Sequence, residues 1–174
     1  MAWLGPLPDG YVILQPLRMV NSYGLFAVMT TSRPEVIVEG SDDGRHWREY
    51  GFRDQPGAPD RRPELIAPHM PRLDWQMWFA ALGDWRGEAW ILYLCDRLLR
   101  GSPAVLRLMG RNPFPDHPPR YVRTLLYRYS FTTAAERRRT GAWWKREFVQ
   151  PYAPAVTLEN DRLAPARELE KPTP

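Results

Sequence analysis

NSYGLFAVMTTSRPEVIVEGSDDGRHWREYGF, residues 21–52, is the stretch that decides the fold. Val36, Val38 and Gly40 alternate with Ile37 and Glu39, and this β-branched, period-two run is typical of a β-strand. The Ser-Asp-Asp-Gly run at 41–44 ends that strand, because Asp side chains bond locally and Gly permits the positive φ of a tight reversal. Residues 47–50 then alternate aromatic with charged residues and are predicted to form the returning strand. Together with the β-rich run at 23–31, they predict three consecutive strands of a meander or sandwich.

The period changes after a proline-rich loop at 53–71 and indicates a helical insertion at about 74–110. Apolar residues recur with helical spacing at Trp75, Trp78, Phe79 and Leu82, and Asp74 is placed to cap the first turn. This helix is expected to end at Gly83, and two more are predicted over 88–100 and 103–109. The strand pattern then returns, with predicted strands at 121–131, 143–150 and 155–158.

The order of these elements predicts an α+β, mainly β fold: an antiparallel β-sandwich, jelly-roll-like, with a small helical insertion. Residues 1–16 are rich in Pro and Gly and are interpreted as a lead-in. A single domain is expected over 17–159. The charged, Pro-containing segment 160–174 is expected to be a flexible tail.

Charge and composition restrict the function only weakly. The chain has 174 residues, a net charge of +4, eight Trp and 19 Pro, so we expect an aromatic core and many rigid loops. The positive charge is carried mainly by arginine and is interpreted as a solvated surface typical of a high-GC bacterial genome. Because no nucleic-acid-binding motif accompanies it, we expect no nucleic-acid partner.

Cysteine usage and apolar runs add two further expectations. The one cysteine, Cys95, lies in an apolar run and is predicted to be a small buried hydrophobe. The longest apolar run, 89–95, is far shorter than the roughly 20 residues that cross a bilayer. Proline and glycine interrupt residues 2–20, so no signal peptide is predicted, and the chain taken alone is expected to be soluble.

Residues with catalytic or metal-binding chemistry are sparse. Asp42, Asp43 and Gly44 lack the spacing of a calcium loop and are interpreted as turn formers. The three histidines, His46, His69 and His117, are far apart and give no zinc-type ligand pair. Nucleophile-elbow, phosphate-loop and dinucleotide motifs are missing from the sequence. We therefore expect no catalytic residue, no metal site and no cofactor.

Two aromatic clusters are the candidate recognition surfaces. The first comprises Arg72, Asp74, Trp75 and Trp78, together with Phe79. Its aromatic residues either dock the helix onto the sheet, with Arg72 and Asp74 as a capping pair, or remain exposed as an apolar surface for a client polypeptide. The second comprises Trp143 and Trp144, neighbours in a strand, so that one enters the core while the other meets solvent or a partner.

Four stretches carry a resemblance to a known family. NSYGLFAVMTTSRPE (21–35), VIVEGSDDGRHWREYGF (36–52), APHMPRLDWQMWFAAL (67–82) and NPFPDHPPRYVRTLLYRY (112–129) resemble the lipase maturation factor family, and the likeness covers roughly residues 17–157. The matching positions are pattern matches without known catalytic roles; they include Asn21, Tyr23 and Gly24 as well as Asp42, Asp43 and Gly44.

The resemblance implies the C-terminal soluble region of a membrane protein, here from a bacterial member. Its animal relatives reside in the endoplasmic reticulum and help secreted lipases to fold and assemble. It implies an extracytoplasmic domain that binds a client polypeptide without catalysis, attached to the membrane through upstream helices that this chain lacks. A chaperone-like function for a secreted or membrane-associated partner is therefore expected.

Two alternatives remain open. The strand pattern and the abundant Trp and Tyr also fit a carbohydrate- or glycolipid-binding β-sandwich module, with Trp47 and Trp144 as candidate contacts. An enzyme would require convergent titratable groups, for example His69 and Asp74 with another acid.

Overall fold

A five-stranded antiparallel sheet is the centre of the computed structural model, which describes residues 33–66, 69–166 and Leu169. The strand order is β2-β1-β3-β4-β5. The strands are β1 (Arg33–Ser41), β2 (Arg48–Glu49), β3 (Tyr121–Phe131), β4 (Trp144–Glu159) and β5 (Arg162–Pro165). The helices of the described residues are α1 (Arg72–Ala80), α2 (Trp90–Leu99), α3 (Pro103–Leu106) and α4 (Ala134–Thr140). The predicted lead-in, the predicted strand at 23–31 and the positions Asn21, Tyr23 and Gly24 lie outside the described residues.

Strand β1 occupies the interior of this sheet. It pairs with β3 along its whole length, from Arg33 opposite Tyr129 to Ser41 opposite Tyr121. On its other side it pairs with β2, and the N–H of Tyr50 donates to the carbonyl of Val38 at 2.9 Å. All side chains over 36–41 are buried. The strand predicted at 36–40 is therefore confirmed within β1, and the returning strand predicted at 47–50 is present but shorter, as β2 at Arg48–Glu49.

Helices α1 to α3 connect β2 to β3 and cover one face of the sheet. On α2, Ile91, Leu94, Cys95 and Leu98 recur at helical spacing and join the main hydrophobic core, which also contains Val36, Val38, Val122 and Val156 from the strands. Burial raises the pKa of the Cys95 thiol to about 12, so this side chain behaves as the buried hydrophobe that the sequence predicts.

A second, smaller cluster lies on the opposite face. Ile37, Tyr129 and Trp144 are buried there. The Tyr129 hydroxyl donates to the carbonyl of Gly57 at 2.7 Å, and the Trp144 indole donates to the carbonyl of Arg61 at 2.9 Å. These bonds hold the proline-rich loop that follows β2 against this face.

These layers confirm a mainly β α+β fold with a helical insertion between two β regions. In the part of the chain that the structure describes, the strands belong to one sheet, and the layer on its main core face is helical. The jelly-roll arrangement therefore stays a prediction. Among the described residues, no helix combines the length and apolar character needed to cross a bilayer.

The C-terminal strands differ from the prediction. Strand β4 runs continuously over 144–159, joining two strands that the sequence separates at its prolines. Register shifts between β3 and β4 accommodate that segment, and the N–H of Ala153 donates to the Thr124 hydroxyl instead of a ladder carbonyl. The expected flexible tail is wrong for 162–165, which pair with β4 as β5. Asn160 and Asp161 both have positive φ, as a two-residue hairpin requires.

Candidate functional site

The Ser41–His46 turn is closed by the side chain of Asp43. One carboxylate oxygen accepts the Arg45 and His46 N–H groups at 2.8 Å and the Ser41 hydroxyl at 3.0 Å. The other oxygen lies 2.6 Å from the His46 ring. The His46 contact, with these N–H groups, holds the pKa of Asp43 well below its usual range.

The neighbouring motif positions have structural roles as well. Gly44 has a φ of +74°, the left-handed geometry that the sequence predicts for this turn. Asp42 pairs with Arg48 at 3.0 Å and lies 3.7 Å from His117. Asp42, Asp43 and Gly44 therefore shape the β1–β2 connection. Within the described residues, no group of three His, Cys, Asp or Glu side chains could hold a metal ion.

Asp74 does not cap α1, so that part of the prediction is wrong. The N-cap is Pro71, and no side chain caps the helix. Asp74 is fully buried and accepts a 2.8 Å hydrogen bond from the N–H of Asp54, so it links the helix to the preceding loop. Burial raises the pKa of its carboxyl group. A buried Asp74 is inaccessible to a client, whereas Arg72 is exposed at the start of the helix.

Helix α1 faces the core with a different side from the one predicted. Met77 and Ala80 are fully buried, whereas Trp75, Phe79 and Leu82 keep 48%, 37% and 60% of their surface exposed. Trp75 and Phe79 are therefore not buried against the sheet, as the docking interpretation requires, whereas Trp78 is half-buried. Trp75 lies 4.2 Å from Phe79 between ring centroids, and Trp78 meets Phe79 edge-on at 5.1 Å. The name aromatic face is used here for the exposed Trp75 and Phe79 of α1 together with Leu82, which follows two residues after the end of the helix.

Trp143 and Trp144 differ in burial, but they are not neighbours in one strand as predicted, because β4 begins at Trp144 and Trp143 packs against the cluster that contains Trp144. Trp144 is buried, stacks on Phe131 at 4.4 Å and meets Tyr129 edge-on at 6.2 Å. Trp143 is half-buried, with the guanidinium groups of Arg137 and Arg62 at 4.2 and 5.6 Å from its ring. Trp144 is therefore a core residue and is wrong as a client contact.

The residues suggested for carbohydrate binding gain no support from their surroundings. Trp144 is buried, and the Arg123 guanidinium lies over the Trp47 ring at 4.1 Å. A cavity of ≈660 Å³ lies beside the β4–β5 hairpin, but the described residues that line it include one aromatic side chain, Tyr121, and no tryptophan. The aromatic residues and the cavity thus do not combine into a stacking site.

The burial of Glu35 was not predicted from the sequence. Glu35 on β1 is fully buried and forms an ion pair with Arg33. Burial raises the pKa of Glu35 to about 7, against the opposing effect of Arg33, and the nearby Asp74 carboxylate adds to the rise. Strand alternation places Glu35 on the same face as Ile37 and Glu39. The apolar Ile37 on that face was the one signal in the sequence that could have indicated the burial of Glu35.

Sequence comparisons assign the family. A family model described as the lipase maturation factor C-terminal domain matches residues 19–154, and the chain belongs to that family. It is 46% identical to human lipase maturation factor 2 over 86% of this chain and 22% of that protein. It is 43% identical to chicken lipase maturation factor 2 over 86% of this chain and 22% of the relative. With mouse lipase maturation factor 1 it shares 42% identity over 83% of this chain and 27% of the relative.

The chain therefore spans about a fifth to a quarter of the length of these relatives. They are named as maturation factors rather than as enzymes. No solved structure matches the chain.

Proposed function

We propose that this chain is a non-catalytic protein-interaction domain that helps a secreted client polypeptide to fold or assemble, and that it holds the client on the aromatic face of α1. The supporting observation is the exposure of Trp75 and Phe79 on α1 and of Leu82 just after its end, while Met77 and Ala80 of the same helix are buried in the core. Exposed contiguous apolar surface of this kind marks interaction sites.

The aromatic face has a rigid base. Met77 and Ala80 are fully buried beneath it, and Asp74 binds the preceding loop through Asp54. At the end of α1, the Tyr152 hydroxyl of β4 donates to the carbonyl of Ala80 at 2.8 Å. A partner therefore meets side chains that are already positioned, which lowers the entropy cost of binding.

The composition of the face suits a polypeptide client. Aromatic side chains provide large contact areas with few rotatable bonds, and they are enriched at the centres of protein interfaces. Polar residues border the patch, with Arg72 exposed at the helix start and the Asp84–Arg86 ion pair beyond Leu82. A segment of an incompletely folded protein presents the complementary apolar side chains.

Membership of the lipase maturation factor family supports the client class. The names of the relatives describe maturation of lipases, and a secreted lipase is accordingly the client proposed here. The relatives are four to five times longer than their matched segments, which is consistent with a larger membrane-associated protein. In that protein, the domain would lie on the extracytoplasmic side.

The proposal is tested by diluting a chemically denatured secreted lipase into buffer with the 174-residue chain and following aggregation by light scattering. The wild-type chain should suppress aggregation, and Trp75→Ser/Phe79→Ser should lose most of that effect. Tyr93→Ser is the control, since Tyr93 is an aromatic on α2 that is even more exposed, at 72%. Equal activity of the wild type and the double variant, with both folded by circular dichroism, would contradict the proposal.

A further inference from the structure

The ends of β3 and β4 form a tip that combines exposed apolar side chains with a cluster of cations. Phe131, the last residue of β3, pairs with Trp144, the first residue of β4, and α4 connects the two strands. The loop at 59–66 packs against this end, because the carbonyl of Pro59 accepts the N–H groups of Trp143 and Trp144 at 2.8 and 3.0 Å. Residues 59–66 and 131–145 are here called the basic tip.

Most of the net charge of the chain lies in the basic tip. It contains Arg61, Arg62, Arg137, Arg138, Arg139 and Lys145 against Asp60, Glu64 and Glu136, a net charge of +3 within a chain of +4. Two of these cations are paired with acidic residues of the tip: Lys145 lies 2.7 Å from Glu136, and Arg61 lies 3.4 Å from Glu64. Arg62 and the three consecutive arginines of α4 are exposed and provide the excess.

Apolar side chains stand among these cations. Leu65 is 94% exposed and Phe131 is 62% exposed. The loop that carries Leu65 lies beside Phe131, because its chain neighbours Glu64 and Ile66 line a cavity of ≈150 Å³ together with Phe131 and Trp144. Beside them, the half-buried Trp143 ring is in contact with the guanidinium groups of both Arg62 and Arg137.

From this arrangement we infer that the basic tip docks on the surface of an anionic lipid bilayer, independently of client binding on α1. Arginine and lysine are attracted to anionic headgroups, while leucine, phenylalanine and tryptophan enter the boundary between headgroups and acyl chains. Charge complementarity alone would also fit a polyanion such as RNA. An exposed aliphatic side chain such as Leu65 adds nothing to the free energy of binding a polyanion such as RNA. Its burial in a bilayer interface, in contrast, favours binding.

The charge contribution is tested by co-sedimentation of the 174-residue chain with vesicles of phosphatidylcholine alone and with added phosphatidylserine. The wild-type chain should bind the anionic vesicles and leave the neutral ones largely unbound. Arg138→Glu/Arg139→Glu should weaken partitioning by about tenfold or more, because each cation near such a surface contributes a several-fold factor. Arg138→Lys/Arg139→Lys keeps the charge and should retain binding.

The matched control is Arg45→Glu/Arg107→Glu, which changes the net charge equally. Arg45 lies in the β1–β2 turn, at the opposite end of the sheet from Phe131, and both control residues are exposed. An equal loss in this control would show that net charge alone drives binding and would overturn the inference. Binding of neutral and anionic vesicles to the same extent would overturn it as well.

The apolar contribution separates a bilayer from a soluble polyanion. Leu65→Ser should lower vesicle partitioning several-fold and leave the anisotropy of a labelled RNA oligonucleotide unchanged, while Tyr93→Ser should leave both unchanged. If Leu65→Ser has no effect on vesicles and RNA binds as tightly as anionic lipid, the basic tip is a polyanion surface and the inference is wrong.

Discussion

The Asp74 carboxylate accepts a hydrogen bond of 2.8 Å from the backbone N–H of Asp54, and its second oxygen is buried with no hydrogen-bond partner among the described residues. This bond, together with the one that the Gln55 side chain donates to the Asp74 carbonyl at 3.5 Å, holds the first turn of α1 against the loop that leaves β2. The position of the aromatic face therefore depends on a residue that the face itself does not expose.

Asp74→Ala should destabilise the chain by about 1–3 kcal/mol, because the Asp54 N–H is left without its acceptor. Asp74→Asn retains an acceptor oxygen and should lose less. Asp60→Ala, at an exposed aspartate, is the control and should stay within about 0.5 kcal/mol of the wild type. Urea denaturation measures all three, and equal losses for the Asp74→Ala and Asp60→Ala variants would contradict a structural role for the bond.

Glu35 should make stability depend on pH. Its folded-state pKa is raised from 4.5 to about 7, so the folded protein holds a proton that the unfolded chain releases. The resulting stabilisation is fully present below about pH 4.5 and is lost as pH rises through 7, a change of about 3 kcal/mol.

Denaturation at pH 5 and pH 8 should therefore show a smaller difference for Glu35→Gln than for the wild type. At pH 8 the variant should be the more stable of the two, because it buries no carboxylate charge. Glu159→Gln, at an exposed position of β4, should retain the wild-type difference. A Glu35→Gln variant that keeps the full pH dependence would refute the assignment.

The two adjacent tryptophans should differ in their contribution to stability. Trp144→Ala removes a buried side chain that stacks on Phe131, and the expected cost is about 3–5 kcal/mol. Trp143→Ala removes a half-buried ring that contacts Arg62 and Arg137 and packs on the edge of the Tyr129–Trp144 cluster, at an expected cost of about 1–2 kcal/mol. Urea denaturation midpoints compare the two variants directly. A larger loss of stability for Trp143→Ala than for Trp144→Ala would contradict the placement of Trp144 in the core.

Gly110 should not tolerate a side chain. A Cβ atom there would lie 2.8 Å from the carbonyl oxygen of Phe52 and 3.1 Å from the backbone nitrogen of Arg53. Because these are backbone atoms, they cannot move aside as a flexible side chain can. Gly110→Ala should cost about 1–3 kcal/mol. Gly83→Ala is the control, since its nearest neighbour would lie 3.9 Å away, and thermal denaturation should show no loss for it.

Local patterns were sufficient to predict several elements. The predicted strand at 121–131 has the bounds of β3, because its alternating aromatic and polar side chains face two different environments. The turn at 41–44 followed from its Asp and Gly residues. The hairpin at Asn160 and Asp161 also carried a turn signal, but the charged, Pro-containing surroundings favoured a tail.

The orientation of α1 could not be predicted in the same way. Residues 73, 77 and 80 form one apolar side and residues 75, 79 and 82 another, so the helical period alone does not select the buried side. Tertiary packing makes that choice, with Met77 and Ala80 facing the sheet. The burial of Glu35 likewise depends on what packs against β1 rather than on its local pattern.

Photo-crosslinking tests the central claim, that the aromatic face holds the client, most directly. A photoreactive phenylalanine analogue is placed at position 79 or, as the control, at position 93, and the chain is irradiated with a denatured secreted lipase. We predict strong crosslinking from position 79, weak crosslinking from position 93, and competition by unlabelled wild-type chain at position 79 alone. Equal crosslinking from both positions, or none from position 79, would contradict the account.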